Sequence, residues 1–263
     1  PKPQNPNKLR YYIFIEVNMK STALLFSMAS AKQIWPMPKT FESKGNEVLS
    51  LDPCAFEGLT ASTSPFDKKI LEYSKLMMPS LKCNGVSTRP VITYDVADMT
   101  YAEPKPDTDE SYSLEIDSTE IKIKANTYVG FVRALESVSQ LVSEDNQIQG
   151  LPLYVQDSPD FSYRGLMLDT SRHFFSKKSI LRTLDAMMYN KLNVLHWHIT
   201  DDVSFPIELE SYPELAAKGA YSSSETYSKQ DVLDVIERAT SNGIRVIPEL
   251  DTPGHVNSWG FNE

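Results

Sequence analysis

The stretch Gly165-Leu-Met-Leu-Asp169 is a short apolar run that ends on an acidic residue, and two similar runs follow it at Leu192–His198 and Ile244–Leu250. Between these runs, apolar side chains recur at helical spacing in Ser179–Tyr189 and in Lys229–Ser241, which predicts two amphipathic helices. The order is therefore β-α-β-α-β. Continuous apolar strands that alternate with helices predict an α/β fold in which parallel strands are covered by helices.

Two closures of such a sheet are open, a doubly wound sheet and a TIM barrel. No glycine-rich phosphate loop follows the first strand, which weakens the dinucleotide-binding alternative. Ionisable residues follow every strand instead: Asp169, Arg172 and His173; then His198, Asp201 and Asp202; then Glu249, Asp251 and His255. In a barrel the carboxyl ends of the strands share one face, so we expect these side chains to converge on a single pocket.

The region before these strands has a different pattern. Short β-type runs occur at Val91–Asp95, Tyr112–Ile116 and Glu120–Lys124, and the last two alternate around a short turn, which predicts a hairpin. A helix follows, whose apolar stripe comprises Phe131, Leu135, Val138 and Val142. We expect an α+β domain here, an exposed loop rich in Pro and Asp at Asp98–Glu110, and a domain boundary at Leu151–Asp160.

Composition limits the class of protein. The 263 residues include 26 basic and 35 acidic side chains, a formal net charge of −9, with 41% apolar and 23% charged residues. These values are typical of a soluble globular protein of one or two domains, and they exclude a collagen, a disordered tail and a multi-pass membrane protein. The acidic balance argues against nucleic acid as a partner, because no basic field is available to displace counterions from phosphates.

The N-terminal segment resembles an export signal. From Met19 the chain has one basic residue, a short apolar run and the small residues Ala29-Ser30-Ala31, which predicts a secretory signal peptide behind an upstream extension, together covering residues 1–31. The apolar run is too short to span a membrane, and a buried strand or helix is the alternative. Secretion or lysosomal delivery would permit a Cys54–Cys83 disulfide, whereas two buried thiols are the alternative.

Three motifs closely resemble the β-N-acetylhexosaminidases of glycoside hydrolase family 20, most of all the eukaryotic lysosomal-type enzymes. The motifs are Arg164–Phe174, then Tyr189–His198 with Asp201-Asp202, then Gly243–His255, within a match from about Phe161 to Gly260. The preceding region, with its cysteine pair and its helix Tyr128–Val142, is similar to the small N-terminal domain of that family. The resemblance implies an α+β domain with an antiparallel sheet at 32–155, followed at 161–263 by the first three βα units of a TIM (β/α)8 barrel.

The resemblance also implies an activity. Enzymes of this family remove terminal β-linked N-acetylglucosamine or N-acetylgalactosamine from glycoconjugates with retention, and the acetamido oxygen of the substrate acts as the nucleophile. The family's catalytic Asp-Glu pair lies in a His-x-Gly-Gly-Asp-Glu motif after the fourth strand, and no Gly-Gly-Asp-Glu occurs in these 263 residues. We therefore expect an N-terminal portion that is inactive alone and a 161–263 segment that is unstable alone. No cofactor and no membrane span are implied, and a homodimer is possible for the complete enzyme.

The resemblance assigns roles to particular side chains. Arg172 corresponds to the arginine that binds the C3 and C4 hydroxyls of the sugar, with a structural ion pair to Asp169 or Asp202 as the alternative. Asp201 and His255 correspond to a relay that orients the acid/base Glu and tunes its pKa. Two further acids have supporting roles: Asp251 would hold the loop or His255, or else cap a helix, and Asp202 lies beside Asp201.

Two histidines support a competing enzyme class. His196 and His198 alternate along one strand and therefore face the same side of the sheet. With Asp201 and Asp202 they favour, as an alternative, a metal-dependent barrel hydrolase. A histidine with satisfied hydrogen bonds in the core is the simpler expectation for His196, and Trp197 should face the helices. A glycan-binding protein without catalysis, retaining Arg172, is the remaining alternative.

Overall fold

The computed structural model describes residues 34–79 and 92–260, which form two β-sheets with helices packed beside each. The predicted signal peptide and Cys83 lie outside the described residues. The proposed Cys54–Cys83 disulfide therefore stays a prediction. Within the described part of the chain, no helix combines the length and apolarity needed to cross a membrane.

The first sheet has five strands in the order β1-β5-β3-β4-β2. Its elements are β1 (Thr40–Ser50), a 3₁₀ helix (Pro53–Leu59), α1 (Pro65–Met77), β2 (Ile92–Val96), β3 (Tyr112–Ile116), β4 (Ile121–Ala125), α2 (Tyr128–Leu141) and β5 (Gln147–Asp157). The sheet is mixed and not purely antiparallel as expected, because β2 runs parallel to β4. The long connection between β2 and β3 lets the chain cross over and place β2 at the far edge of the sheet.

The predicted hairpin is confirmed as the β3–β4 pair. Its register pairs Ser113 with Lys124 and Ile116 with Ile121. The Asp117 carboxylate accepts the backbone N–H groups of Thr119 and Glu120 and so closes the turn. In β4 buried and exposed residues alternate strictly, as the sequence pattern predicts for a strand with one face on the core.

Two long strands of this sheet were not predicted. β1 and β5 pair antiparallel from Thr40↔Gln156 to Ser50↔Gln147, so most of the expected boundary at 151–160 is strand. β1 has only Leu49 buried, and a register shift between Ser43 and Glu47 interrupts its alternation. A mostly exposed strand with a bulge lacks the apolar period on which the prediction depends. α1 was also missed.

The second sheet contains three parallel strands in the order β6-β7-β8. Its elements are β6 (Gly165–Asp169), α3 (Lys177–Tyr189), β7 (Val194–Thr200), α4 (Pro213–Gly219), α5 (Lys229–Ser241) and β8 (Arg245–Leu250). The predicted order of strands and main helices is confirmed, and only the short α4 was missed. The turn after α5 contains Gly243, whose φ of +67° is a left-handed conformation that glycine adopts without a Cβ clash.

The two faces of the second sheet have different surroundings. Leu195, Trp197 and Ile199 of β7 are buried in an apolar cluster with side chains of α3 and α5. Trp197 is 1% exposed, which confirms its expected place in the core. Because side chains alternate along a strand, His196 and His198 lie on the opposite face. The apolar layer therefore fixes β7 and turns its histidines away from the helices.

A buried acid joins the two parts of the chain. Glu110 accepts hydrogen bonds from Arg133 of α2, from Arg164 just before β6 and from Asn193 just before β7. Arg133 also donates to the backbone carbonyl of Gly243, just before β8. The expectation of an exposed loop is therefore wrong at Glu110, because its carboxylate is the counterion of two guanidinium groups that the fold brings together.

Candidate active site

The chain segments that follow β6, β7 and β8 meet at the carboxyl ends of these strands. Thr170 donates its backbone N–H to the His198 carbonyl at 2.9 Å. Ser171 Oγ donates to the Ser204 carbonyl at 2.8 Å, and Ser258 Oγ donates to the Asp201 carbonyl at 2.6 Å. These buried hydrogen bonds tie the three segments to one another, so the side chains they carry have defined relative positions.

The guanidinium of Arg172 bridges two carboxylates. Its Nη1 lies 3.1 Å from Asp169 Oδ2, and its Nη2 lies 2.7 Å from Asp201 Oδ2. The other oxygen of Asp169 accepts the backbone N–H groups of Ser171 and Arg172, which shapes the turn after β6. The Arg172 side chain is about half exposed (52%), whereas that of Asp201 is 3% exposed. The guanidinium of Arg172 is therefore oriented by Asp169 and Asp201 and is still accessible to a ligand.

Asp201 and His255 form a hydrogen-bonded pair. His255 Nδ1 lies 3.0 Å from Asp201 Oδ1, which also accepts the backbone N–H of Asp202. Burial opposes ionisation of Asp201, but these two hydrogen bonds and Arg172 outweigh it and hold its pKa below the ordinary value. The hydrogen bond to Asp201 and its charge raise the pKa of His255. The pair is therefore favoured in its ionic form.

The backbone of His255 is strained. Its φ is +59°, in the left-handed region that residues with a β-carbon rarely adopt. Backbone strain of this kind persists only where surrounding contacts enforce it, and it is frequent at functional sites. The imidazole of this residue is the one that pairs with Asp201.

Asp202 and Asp251 lie at the border of this pair. Asp202 accepts the backbone N–H of Asn257 at 3.0 Å, and its second oxygen lies 3.8 Å from His255 Nδ1. Asp251 lies 3.7 Å from His198 Nε2, and its charge also raises the pKa of His255. Asp251 does not cap a helix, because the 3₁₀ helix that follows it, Asn257–Trp259, begins after Val256. It belongs to the charged cluster.

The two histidines of β7 face the same side but have different environments. His198 is buried, whereas the side chain of His196 is 35% exposed and contacts Glu249 of β8. The expectation of a core position is wrong for His196, because no described element covers its end of the sheet face. Its partner is a carboxylate on the adjacent strand.

The four side chains of the metal-dependent alternative, His196, His198, Asp201 and Asp202, are not gathered as one ligand set in the described part of the chain. Three overlapping groups of the described residues have potential ligand atoms within 4.8 Å of one another: Asp169, His198 and Asp201; His198, Glu249 and Asp251; and Asp201, Asp251 and His255. His196 and Asp202 belong to none of them. Arg172 already supplies a positive charge to Asp169 and Asp201, which reduces the need for a cation there.

The structure adds one residue that the sequence did not indicate. Tyr221 lies in the segment after α4, and its hydroxyl donates to the backbone carbonyl of Arg172 at 3.1 Å. Burial and the nearby charges of Asp169 and Asp201 raise the pKa of this hydroxyl. Tyr221 follows no strand end, so no spacing rule could place it beside the other side chains.

Two family models match the chain. Residues 161–262 match the catalytic domain of glycosyl hydrolase family 20, and residues 86–141 match a model described as β-acetyl hexosaminidase like. The first match contains Arg172, Asp201, Asp202, Asp251 and His255. The second covers β2, β3, β4 and α2.

The curated relatives include β-hexosaminidases from animals and plants. The β subunit of the β-hexosaminidase from Felis catus is 39% identical over 251 residues, covering 89% of this chain and 47% of the relative. β-Hexosaminidase 1 from Arabidopsis thaliana is 35% identical over 279 residues, covering 94% of this chain and 50% of the relative. The chain therefore spans about half the length of these two relatives.

Solved structures give the same family. The family 20 exo-β-N-acetylglucosaminidase from Vibrio harveyi, in complex with N-acetylglucosamine, is 25% identical with a TM-score of 0.69, covering 88% of this chain and 38% of its own chain. Together with the sequence matches, this structural similarity identifies the family. Residues 161–262 of this chain belong to the catalytic domain of glycosyl hydrolase family 20.

Proposed function

We propose that the protein containing this chain hydrolyses terminal, non-reducing β-linked N-acetylglucosamine or N-acetylgalactosamine residues of glycoconjugates by the substrate-assisted retaining mechanism. In this mechanism the 2-acetamido oxygen attacks the anomeric carbon, and an acid/base carboxyl group protonates the departing oxygen. The observation that supports the proposal is the convergence of Arg172, Asp201 and His255 within the segment that matches the family's catalytic domain.

The proposed roles follow from the chemistry of each side chain. Arg172 binds the C3 and C4 hydroxyls of the terminal sugar, because a half-exposed guanidinium offers paired donors in a fixed plane. Asp201 holds the imidazole of His255, which orients the acid/base carboxyl group and helps to set its pKa. Asp202 and Asp251 support this pair through their charge and through the loop contact to Asn257.

The proposed architecture extends the observed elements. The sheet from β6 to β8 with its helices is the first part of a TIM (β/α)8 barrel, and the segment 32–155 is a separate N-terminal domain. This reading is supported by parallel strands in sequential order, with the charged cluster at their carboxyl ends. We further propose delivery through the secretory pathway to the lysosome or cell exterior, with a signal peptide in 1–31 and a Cys54–Cys83 disulfide.

A chromogenic assay tests the proposed activity. The full-length protein is expected to cleave 4-nitrophenyl N-acetyl-β-glucosaminide and to leave the corresponding β-glucoside, which has no acetamide, essentially intact. Arg172→Lys should lower kcat/KM by about 10²-fold, because a single ammonium cannot reproduce two oriented donors. Arg182→Lys, an exposed arginine on α3, is the matched control and should behave like the parent.

The same assay separates the two alternatives. Binding of N-acetylglucosamine without any turnover would favour a glycan-binding protein. Loss of activity on dialysis against a chelator, with recovery on addition of a divalent cation, would favour the metal-dependent hydrolase. Equal cleavage of the glucoside would contradict the substrate-assisted mechanism, because that substrate lacks the nucleophile.

A further inference from the structure

His198 and Arg172 contact the same two carboxylate oxygens. Arg172 Nη1 and Nη2 lie 3.1 Å from Asp169 Oδ2 and 2.7 Å from Asp201 Oδ2. His198 Nδ1 lies 3.5 Å from that same Asp169 oxygen, and His198 Nε2 lies 3.7 Å from that same Asp201 oxygen. The Arg172 side chain is 52% exposed and that of His198 is 7% exposed. The two oxygens thus have one cationic partner open to ligands and one imidazole partner in the interior.

The contact between His198 and Asp201 is incomplete as it stands. His198 Nε2 and Asp201 Oδ2 are both fully buried, and neither makes a hydrogen bond of good geometry within the described residues. A buried polar atom without a hydrogen bond is costly and calls for an explanation. Closing the 3.7 Å separation to a hydrogen bond needs a movement of about 1 Å. Arg172, at 2.7 Å from the same oxygen, is the competing partner.

We propose that His198 is a positioning residue: when a bound ligand engages the guanidinium of Arg172, the imidazole of His198 replaces it as the hydrogen-bond partner of the Asp201 and Asp169 carboxylates. In the free protein Arg172 holds both carboxylates. A sugar whose hydroxyls bind that guanidinium weakens its hold, and the interior imidazole replaces it. Asp201 then shifts toward the imidazole and continues to hold His255 through its other oxygen. The ligand part of this inference rests on the proposed sugar-binding role of Arg172.

The position of His198 suits this role. Each of the three strands supplies one carboxylate near the imidazole: Asp169 from the end of β6, Asp201 from just after β7 and Asp251 from just after β8. The backbone of His198 is fixed by two hydrogen bonds from Thr170 to its carbonyl. Because the backbone of His198 is fixed, the carboxylates of Asp169 and Asp201 can turn from Arg172 toward its imidazole while the strands keep their positions.

The first test needs no ligand. Unfolding by urea is measured for Arg172→Gln, His198→Leu and the double variant. Each substitution raises the unfolding equilibrium constant by some factor. If the two side chains hold the same oxygens, the factor for the double variant should exceed the product of the two single factors by at least about tenfold. The same cycle with His196→Leu, on the same strand and face, should be multiplicative within about twofold. A multiplicative result for His198 would overturn the proposal.

A conservative variant separates positioning from packing. His198→Gln keeps an N–H donor near the place of Nε2, and its coupling to Arg172→Gln should differ clearly from that of the leucine variant. Identical coupling for leucine and glutamine would show that packing alone is responsible and would overturn the proposal. If the leucine variant does not fold, His198→Asn, which lacks a donor at the Nε2 position, replaces it in the same cycle.

The second test uses N-acetylglucosamine as the probe in the full-length protein. His198→Leu should weaken its binding about tenfold and raise KM more than it lowers kcat, and His198→Gln should recover most of the loss. In the Arg172→Gln background, His198→Leu should have no further effect on affinity, because no guanidinium remains to be withdrawn. An equal loss in both backgrounds would contradict the exchange of partners.

The two tests fail independently. Coupling in the ligand-free protein together with no binding of N-acetylglucosamine would contradict the proposed function and leave the shared oxygens established. Binding and turnover without coupling between Arg172 and His198 would support the proposed function and contradict this inference.

Discussion

A single carboxylate organises the candidate site. Asp201 is 2% exposed, yet its two oxygens face His255 on one side and Arg172 on the other. The backbone N–H of Asp202 contributes a further hydrogen bond. Because these partners together outweigh the effect of burial on its pKa, Asp201 is held as an anion and so can orient both a base and a cation.

The first prediction concerns the titration of His255. Asp201→Asn removes the principal cause of its raised pKa, so the pKa should fall toward the ordinary value of 6.5. The measurement is an NMR titration of the imidazole Cε1–H signal. Asp251→Asn removes a weaker charge contribution and should lower the pKa less. A larger fall of the pKa in Asp251→Asn would show that Asp251, and not Asp201, is the main partner of the imidazole.

The sign of the associated pH dependence follows from linkage. The folded state binds the His255 proton more tightly than the unfolded chain does, so the extra stability is complete below pH 6.5 and is lost as the pH rises through the raised folded pKa. The contribution of Asp201 depends on pH in the opposite sense. Because its pKa is lowered in the folded state, the stabilisation is present above pH 3.8 and is lost as the pH falls through the folded pKa. The ionic pair is therefore favoured between these limits.

At the scale of elements, local sequence decides where the helices begin. α5 starts with a capping box, in which Ser228 Oγ accepts the backbone N–H of Asp231 while the Asp231 carboxylate accepts the backbone N–H of Ser228. The side chain of Ser176 caps α3 in a similar way by accepting the Ser179 N–H. These caps fix the ends of the helices that cover β6, β7 and β8.

The second prediction concerns this cap. Ser228→Ala leaves the backbone N–H of Asp231 without its side-chain acceptor and should lower the free energy of unfolding by about 1 kcal/mol. Urea denaturation monitored by circular dichroism measures the change. Ser224→Ala, at an exposed serine of the preceding segment, is the control and should shift the free energy by less than about 0.5 kcal/mol. Equal effects would show that the cap does not limit stability.

The third prediction concerns the buried acid between the two sheets. Glu110→Gln leaves Arg133 and Arg164 without their counterion and should destabilise the protein by about 3–5 kcal/mol. Glu115→Gln removes the exposed partner of Lys124 and is the control, with an expected effect of about 0–1 kcal/mol. Similar urea midpoints for the two variants would contradict a central role for Glu110.

Glu110 also gives a pH dependence with a defined sign. Burial opposes its ionisation, but the two arginines prevail and lower its pKa in the folded state below the ordinary 4.5. The stabilisation is therefore present above pH 4.5 and is lost as the pH falls through the lowered folded pKa. Glu110→Gln should show a smaller loss of stability in acid than the parent protein.

At the scale of the whole molecule, polar groups connect two apolar cores. One core contains α1, α2 and the inner face of the first sheet, and the other lies between α3, α5 and the second sheet. Lys191, just after α3, donates to Ser137 of α2 at 2.8 Å and lies 3.9 Å from Asp157 at the end of β5. The Lys191 side chain is buried between the two parts. Its backbone has a φ of +54°, in the left-handed region.

The fourth prediction uses Lys191 as a reporter of this junction. Burial lowers its pKa to about 8 from 10.5, so the unfolded chain binds more protons between these values and stability should rise with pH there. Between pH 8 and 9.5 the gain should be about 1–2 kcal/mol relative to Lys191→Met, which keeps the aliphatic stem and loses the charge. Parallel pH profiles for parent and variant would mean that this amine stays solvated.

Much of the fold could be predicted from the sequence because its elements have a clear period. β6 and α5 were placed with their full bounds, and the β3–β4 hairpin with its turn. β1 and β5 could not be predicted, because β1 is largely exposed and the sequence of 151–160, where most of β5 lies, is typical of a domain boundary. The buried position of Glu110 was missed because its partners come from distant segments.

The sequence alone determined the order of strands and helices, the carboxyl-end position of the charged residues and the family motifs that contain them. These features depend on local periodicity and on residue identity. The tertiary structure alone decided the partners: that Arg172 binds Asp201 as well as Asp169, that His198 shares both oxygens, and that His196 contacts Glu249. Such contacts join separate strands across ångström distances, and only the packing of the sheet against its helices sets those distances.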